Sequence, residues 1–426
     1  MSETEPGFDT LAIHAGAQPD PATGARATPI YQTTSFVFED VKHAADLFAL
    51  RAFGNIYTRI MNPTQAVLES KIAALEGGTA ALATGSGHGA QLVIFHTLLS
   101  PGDQFIAARQ LYGGSINQFN HAFRSFGWNV AWADADDPES FRKALTPKTK
   151  AIFIESIANP GGRVTDIEAI GKVARSAGIP LIVDNTLATP YLCRPLDHGA
   201  NIVVYSLTKF MGGHGNSMGG AIVDGGNFDW SKDQDKYPLL SQPNESYHGM
   251  KLHETFGSIA FAIACRVIGL RDLGPAIAPL NAFLILTGIE TLSLRMRKHC
   301  DNTLKVAEWL KKDQRVAWVN YAGLPGDKDY ARYRKFTPNG AGAVFTFGLK
   351  GGYEAGVKTV SNVKLFSHLA NVGDTRSLII HPASTTHSQL TPEQLKLAGA
   401  GPDVVRLSVG IEDVSDIIAD LDQALV

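Results

Sequence analysis

Residues 179–210 read IPLIVDNTLATPYLCRPLDHGANIVVYSLTKF. Two apolar runs lie in this stretch, IPLIVDN at 179–185 and NIVVYS at 201–206, both short, β-branched and unbroken by alternation. That pattern reads as strands buried on both faces. Each run exits into a residue with chemistry: Asp184 closes the first, and Lys209 follows the second by three positions. Outward from here the same grammar repeats. AIFIES at 151–156, WNVAWAD at 128–134 and QFIAA at 104–108 are further buried runs. Stretches of helical spacing or length lie between and before them, at 65–76, 87–99, 114–126 and 166–177. Strands alternating with helices predict an α/β fold whose mostly parallel sheet is covered on both sides. Ligands bind such sheets outside the carboxyl ends of the strands, so the residues just after each apolar run are the ones to inspect.

Toward the C-terminus the grammar changes. Residues 225–257 are polar and read as a long surface excursion, and 258–311 are strongly helical. Strands then return as GAVFTFGL, SLIIHPAS and VVRLSVGIE, before an amphipathic helix at 412–425. At roughly 150 residues per domain, a chain of 426 residues holds two or three. We expect an N-terminal arm at 1–60, with few periodic elements and packed on something else such as another subunit. A large domain at 61–270 and a smaller α+β domain at 271–426 follow.

The composition is that of an ordinary globular chain, 44% apolar and 19% charged, with a formal net charge of −3 and no long run of Lys or Arg. Nucleic acid and polybasic membrane contact have no support there. Three scattered cysteines, Cys193, Cys265 and Cys300, fit a reducing compartment and exclude CxxC-type zinc or redox sites. The start, MSETEPGFDTLAIHAG, lacks a signal-peptide pattern, and no apolar run is long enough to span a membrane. A cytoplasmic enzyme is the expectation. No metal site is expected either, since His381 and His387 have no plausible third ligand.

A lysine taken at random is a surface ammonium. Lys209 instead stands at a strand exit, between Ser206 and Thr208 on one side and a glycine-rich segment on the other. A lysine that forms an imine must be unprotonated to attack, which requires burial or nearby positive charge to lower its pKa. Ser206 and Thr208 offer hydroxyls to a phosphate. Asp184, at the end of a buried strand, needs a cation. A helix cap or structural ion pair would satisfy it, and so would the protonated nitrogen of a pyridine ring. ATGSGHGA at 83–90 opens a helix. The N–H groups of Gly87 and His88, with Ser86, are suited to an anion there, although tight turns also use such glycines.

YTRIMNPT at 57–64, SGHGA at 86–90, LYGG at 111–114, ESIANP at 155–160, VDNTLATP at 183–190, YSLTKF at 205–210 and HPASTTH at 381–387 occur in one order. From about residue 10 to 420 the chain resembles the Cys/Met-metabolism family of pyridoxal-phosphate (PLP) enzymes. The resemblance implies an aminotransferase-like, fold-type-I architecture and a homotetramer of dimers that share active sites. It implies PLP held on Lys209, with Asp184 at the ring nitrogen. Ser86, Gly87, His88, Ser206 and Thr208 would serve the phosphate. Tyr57 and Arg59 would reach the neighbour's phosphate. Tyr112 would stack on the ring with a possible acid/base role, and Asn159 would lie near its phenolic oxygen, with Glu155 as a supporting acid. Arg406 would clamp a substrate α-carboxylate, with Asn371 and Tyr112 as further substrate contacts.

NVGD at 371–374, ahead of SLIIHPASTTHSQLT, and NESYHG at 244–249 point within the family to γ-replacement. The implied reaction converts O-acetyl-L-homoserine and sulfide, or methanethiol, to L-homocysteine, or L-methionine, and acetate. O-succinylhomoserine-dependent synthesis, including cystathionine γ-synthesis, and methionine γ-elimination are the alternatives; a non-catalytic PLP-binding protein is a remote one. Two departures stand out. Gly114 occupies the position after Tyr112-Gly113 where γ-lyases of the family commonly carry Cys, and His88 stands where Gln or Met is more usual.

Overall fold

The computed structural model describes residues 6–389, 391, 393, 395 and 399–426. The MSETE start of the expected arm and Leu390 of the SQLT stretch lie outside them. A seven-stranded sheet comprises β1 (Ala80–Thr84), β2 (Gln104–Ala108), β3 (Asn129–Ala133), β4 (Thr149–Glu155), β5 (Leu181–Asp184), β6 (Ile202–Ser206) and β7 (Gly220–Asp224). Their order is β1-β7-β6-β5-β4-β2-β3. The pairs from β6 to β3 are parallel, and β7 runs antiparallel to both its neighbours. Every residue of β4 is buried, and β5 is buried up to Asp184, as expected where helices cover both faces.

This topology explains the placement of the site. β1, β2, β4, β5 and β6 all end at one rim, and the residues that follow them gather there. The register puts Glu155 directly beside Asp184 at that rim. The helix Gly87–Leu98 starts there, capped by Ser86, whose Oγ accepts the Gly89 N–H at 3.0 Å. The cap fixes the helix start and leaves the first-turn amides of Gly87 and His88 without intrahelical partners. Beneath the rim Phe95, Phe105, Phe119, Phe123 and Phe153 form an aromatic core with ring separations between 4.2 and 6.2 Å. Truncating a fully buried phenylalanine such as Phe95 would cost about 3–5 kcal/mol.

A second sheet comprises β8 (Val316–Asn320), β9 (Val344–Leu349), β10 (Ser367–His368), β11 (Leu378–Ile380) and β12 (Val404–Ser408), in the order β10-β11-β12-β9-β8. Only β10–β11 is parallel. Between the sheets run the helices Pro279–Glu290 and Leu292–Lys312.

The structure differs from the sequence reading in several places. The apolar run of β7 goes unread because glycines flank it, and β8 because Trp318 and Ala317 leave its face half-exposed. The 225–257 segment does not merely cross the surface. Trp230 and Tyr237 are buried, and Trp230 stacks on Phe261 at 5.3 Å. The stretch expected as an arm with few periodic elements contains two helices, Phe8–His14 and Val41–Phe48. The first is tied down by Lys71, whose amine donates to the carbonyls of Ala12 and Ile13 at 2.7 and 2.8 Å. Among the described residues no helix is long and apolar enough to cross a membrane.

Candidate active site

A cavity of about 260 Å³ opens at the carboxyl rim of the first sheet and is closed by the second. Its walls hold Ser86, Gly87, His88, Tyr112, Glu155, Asn159, Asp184, Ser206, Thr208, Lys209, Asn371 and Arg406. Larger surface clefts exist, including one of about 640 Å³ lined by Arg175, Lys232 and Tyr237 at the opposite rim. That cleft also holds charged groups, but Arg175, Asp229, Lys232 and Asp233 are exposed to solvent, whereas Glu155 and Arg406 in the smaller cavity are buried.

Lys209 Nζ donates to Asn371 Oδ1 at 2.6 Å. Burial, reinforced by the positive charge of Arg406, lowers its pKa to about 8. The amine is therefore much closer to its nucleophilic form at neutral pH than a free lysine. Asp184 Oδ1 accepts the Thr186 N–H at 3.0 Å. Glu155 accepts the N–H groups of Tyr112 and Asn159 at 2.7 and 2.9 Å, so it positions Tyr112 through the backbone. Burial raises the pKa of both acids, and the charge of Asp184 raises that of Glu155 further. No Lys or Arg among the described residues forms an ion pair with either acid.

Arg406 is buried in β12. Its Nη1 donates to Asn159 Oδ1 at 3.1 Å and its Nη2 to the Asn371 carbonyl at 3.0 Å, while its buried Nε has no partner. Burial lowers its pKa to about 10, so it stays a cation at neutral pH. The Tyr112 ring lies 6.0 Å from that of His88, edge-on, and is partly exposed. Thr208 Oγ1 accepts the Gly219 N–H at 3.1 Å.

Tyr57 and Arg59 do not line this cavity. Both precede the helix Pro63–Glu76, and the Arg59 guanidinium sits 5.5 Å from the Tyr57 ring and donates to the Arg271 carbonyl. Four polar wall residues escape the sequence reading: Gln91, Ser115, which accepts from Gln91 Nε2 at 3.1 Å, Thr186 and Thr386. Gln91 follows Gly87 by one helical turn, and Thr186 follows Asp184 by two residues in a local turn. Both spacings are legible once the neighbours are assigned. Thr386, from HPASTTH, carries no separate signal.

The profile of the family described as "Cys/Met metabolism PLP-dependent enzyme" matches residues 9–426. The chain belongs to the Cys/Met-metabolism family of PLP-dependent enzymes. It is 52% identical to O-acetyl-L-homoserine sulfhydrylase of Leptospira meyeri, over 98% of this chain and 96% of that one. It is 53% identical to O-acetyl-L-homoserine sulfhydrylase 1 of Thermus thermophilus, over 98% and 99%. A crystal structure of a putative O-acetylhomoserine (thiol)-lyase from Campylobacter jejuni superposes with a TM-score of 0.95 at 40% identity. The match covers 98% of this chain and 99% of that one, which carries a pyridoxyl-lysine phosphate at its position 205.

The cofactor of this family is PLP, and the cavity suits it on chemical grounds. A lysine amine of lowered pKa and a half-buried carboxylate with no Lys or Arg ion-pair partner among the described residues both face the cavity. So do the first-turn amides at Gly87 and His88. A Cβ added at Gly87 would come 2.9 Å from Ser206 Cβ, so the anion cradle and the β6 exit touch only because residue 87 is glycine. The fold is the fold-type-I arrangement expected of the family: a mostly parallel sheet carrying the site and a smaller C-terminal sheet that caps it.

Proposed function

We propose that this enzyme replaces the γ-acetoxy group of O-acetyl-L-homoserine with sulfide, releasing acetate and forming L-homocysteine; with methanethiol the product is L-methionine. One observation carries the reading. A lysine amine of lowered pKa and a buried arginine with an unpaired Nε converge through one residue, Asn371, in a single cavity. A proton-carrying base and a carboxylate clamp side by side are what an amino-acid substrate needs.

PLP, when bound, supplies an electron sink that permits the Cα–H and Cβ–H bonds of an attached amino acid to break. Lys209 is assigned as its covalent anchor. Ser86, Gly87, His88, Ser206 and Thr208 are assigned to the phosphate, and Asp184 to the ring nitrogen, whose positive charge relieves the half-buried carboxylate. Arg406 and Asn371 orient the substrate carboxylate, and this fixes which Cα substituent faces Lys209. Lys209 Nζ would take the Cα proton, give it up to the cofactor and, neutral again, take a Cβ proton, because one flexible amine reaches adjacent carbons on one face. Departure of acetate from Cγ leaves the carbon to which sulfide adds. Tyr112, held by the Glu155 contact to its N–H, would stack on the cofactor ring and assist proton transfer at the substrate amine. Asn159 sits between Glu155 and Arg406 and would meet the ring's phenolic oxygen.

We further place the chain in a cytoplasmic homotetramer of dimers, with an arm at 1–60, a cofactor-binding domain at 61–270 and a small domain at 271–426. Tyr57 and Arg59 are assigned to a neighbouring subunit's phosphate. The arm's Val37, Val41, Phe48 and Phe53 are exposed, which favours burial against another copy.

The test is an activity screen of purified protein with acetyl and succinyl homoserine esters, each with sulfide, methanethiol or no thiol. The expected result is homocysteine and acetate in equal amounts from the acetyl ester and sulfide. Full-rate ammonia and 2-oxobutanoate without a thiol, or preference for the succinyl ester, would overturn it.

A further inference from the structure

The segment after Lys209 makes an unusual turn. Gly212 N–H donates to the Leu207 carbonyl at 2.9 Å and Gly213 N–H to the Lys209 carbonyl at 2.7 Å. The carbonyls of Phe210 and Met211 receive no backbone donor among the described residues. Buried carbonyls need one. Both are served by one side chain from the far side of the chain, Arg295, whose Nη1 donates to Phe210 at 2.7 Å and Nη2 to Met211 at 3.2 Å. Nη2 also donates to the Gly288 carbonyl at 2.7 Å.

Arg295 is buried, and no carboxylate among the described residues pairs with it. A buried cation without a counter-ion is unfavourable, and an apolar side chain of similar volume is commonly at least as stable in such a place. A planar fork is needed here for its geometry, because three carbonyls converge from two segments. The fit is close. Gly213 has φ +74°, and a Cβ there would lie 2.2 Å from Arg295 Nη1. A Cβ at Gly373 would lie 2.6 Å from Phe210 N, so the NVGD segment presses on the Lys209–Phe210 peptide from the other side.

The same helix, Leu292–Lys312, reaches the Arg406 strand one turn later. His299 sets its ring edge-on to Phe210, with centroids 5.2 Å apart, and its Nδ1 bonds the Val409 carbonyl at 2.7 Å. Burial holds this imidazole neutral, with a pKa of about 4. Nδ1 must therefore carry the proton, since a carbonyl only accepts. Asn302 donates to the carbonyls of Gly410 and Glu412 at 3.0 and 2.8 Å. One helix face thus grips the turn that carries the lysine and the chain that leaves β12.

We propose that Arg295 is a positioning residue for Lys209. By holding the Phe210 and Met211 carbonyls it makes the lysine's backbone a fixed pivot. The long side chain then swings between its bonded position and the two substrate carbons without the turn giving way. This rests on the role proposed above for Lys209.

The experiment compares wild-type, Arg295→Lys and Gly213→Ala proteins. The last approaches from the other side, since its methyl drives into the guanidinium. Borohydride reduction of wild-type holoenzyme with peptide mapping comes first. Absence of a cofactor adduct on Lys209 would sink the Lys209 assignment itself, separately from the role of Arg295. Given that adduct, each folded, cofactor-saturated variant is expected to lose about ten- to a hundredfold in kcat, the range a misplacement near 1 Å produces. KM for O-acetylhomoserine should stay within about threefold, because the Arg406 clamp is untouched. The apo-variants should capture PLP covalently about tenfold more slowly than apo-wild-type. The pH at which the bound cofactor's absorption band changes should also move, a signature that a purely structural arginine would not shift. Wild-type kcat and capture rate in either folded variant would overturn the proposal. Failure of both variants to fold would overturn it too, since Arg295 would then serve the whole fold rather than this turn.

Discussion

Lys209 Nζ donates to Asn371 Oδ1 at 2.6 Å, and the carbonyl of the same asparagine accepts from Arg406 Nη2 at 3.0 Å. Asn371 follows β10, so a loop of the second sheet holds the lysine of the first. The amine is thereby presented to the cavity beside the guanidinium. Replacing Lys209 with Ala removes the proposed covalent anchor and mobile base and leaves the other cavity groups in place. The variant should fold and bind PLP that borohydride cannot fix to protein. Turnover should fall by at least about 10²–10⁴-fold, the usual worth of one acid–base group. Steady-state assay beside reduced-peptide mapping checks both halves.

The lowered pKa of Lys209 has a pH consequence. Burial comes first among its causes and the Arg406 charge second, and together they bring the amine to about 8 from 10.5. The folded apo-protein therefore holds fewer protons than the unfolded chain between those values. Stability should rise with pH across that window as the penalty on a buried ammonium is relieved. Covalent capture of PLP by apo-protein should accelerate with an inflection near pH 8. Stopped-flow absorption at a series of pH values reads it, and an inflection above pH 10 would show that the amine is solvated.

Arg406 should resist conservative replacement. Its two Nη atoms are spent on Asn159 and the Asn371 carbonyl, and its Nε is buried without a partner. A lysine at 406 cannot reproduce the fork. We expect Arg406→Lys to raise KM for O-acetylhomoserine by about thirtyfold, corresponding to about 2 kcal/mol for a charge-assisted contact. A smaller fall in kcat should accompany it. An unchanged KM would remove the guanidinium from substrate binding.

What is legible in the sequence follows from where information sits locally. Asp184 and Lys209 end or follow unbroken apolar runs, and the rule that parallel sheets bind ligands at their carboxyl rim places both at the site from sequence alone. The glycine cradle at 85–89 announces a helix start in the same way. Arg295 and His299 announce nothing. They lie at i and i+4 of a stretch that reads only as strongly helical, and their partners, Phe210 and Val409, are 85 and 110 residues away. β7 goes unread because glycines flank its short apolar run, and its antiparallel pairing with β1 and β6 is a tertiary choice that no local pattern dictates. Tyr57 and Arg59 rest on family resemblance alone, and within one chain they stand apart from the cavity.

A second titration lies beneath the sheet. Glu76 is wholly buried, accepts a hydrogen bond from the Tyr205 hydroxyl, and leaves Oε1 without a partner. Burial raises its pKa from 4.5 to about 8. The folded state thus binds more protons than the unfolded one between pH 4.5 and 8, and the stability this proton supports is lost as pH rises through that interval. Glu76→Gln keeps the shape and removes the ionisation. The difference in Tm between variant and wild type should shift in favour of the variant from pH 5 to pH 9. Thermal unfolding at matched ionic strength measures it, and a pH-independent difference would mean the carboxyl is never protonated in the fold.

Gly114 offers the sharpest test of Tyr112. A Cβ built there lies 2.3 Å from Tyr112 Cε1 and 2.7 Å from Cζ, so the ring rests where only a glycine allows it. Because that ring is 40% exposed, it can move aside without opening a void in the core. Gly114→Ala should therefore leave Tm within about 2 °C, as surface changes do. PLP content should be unchanged, since Lys209 and the Gly87 cradle are untouched. The displaced ring should nevertheless lower kcat about ten- to a hundredfold, in proportion to a misplacement near 1 Å. Tyr112→Phe separates the ring from its hydroxyl: a loss confined to Gly114→Ala assigns the effect to stacking, and equal losses assign it to the proton. Full activity in Gly114→Ala would mean that the ring position seen next to Gly114 is not the one the reaction uses.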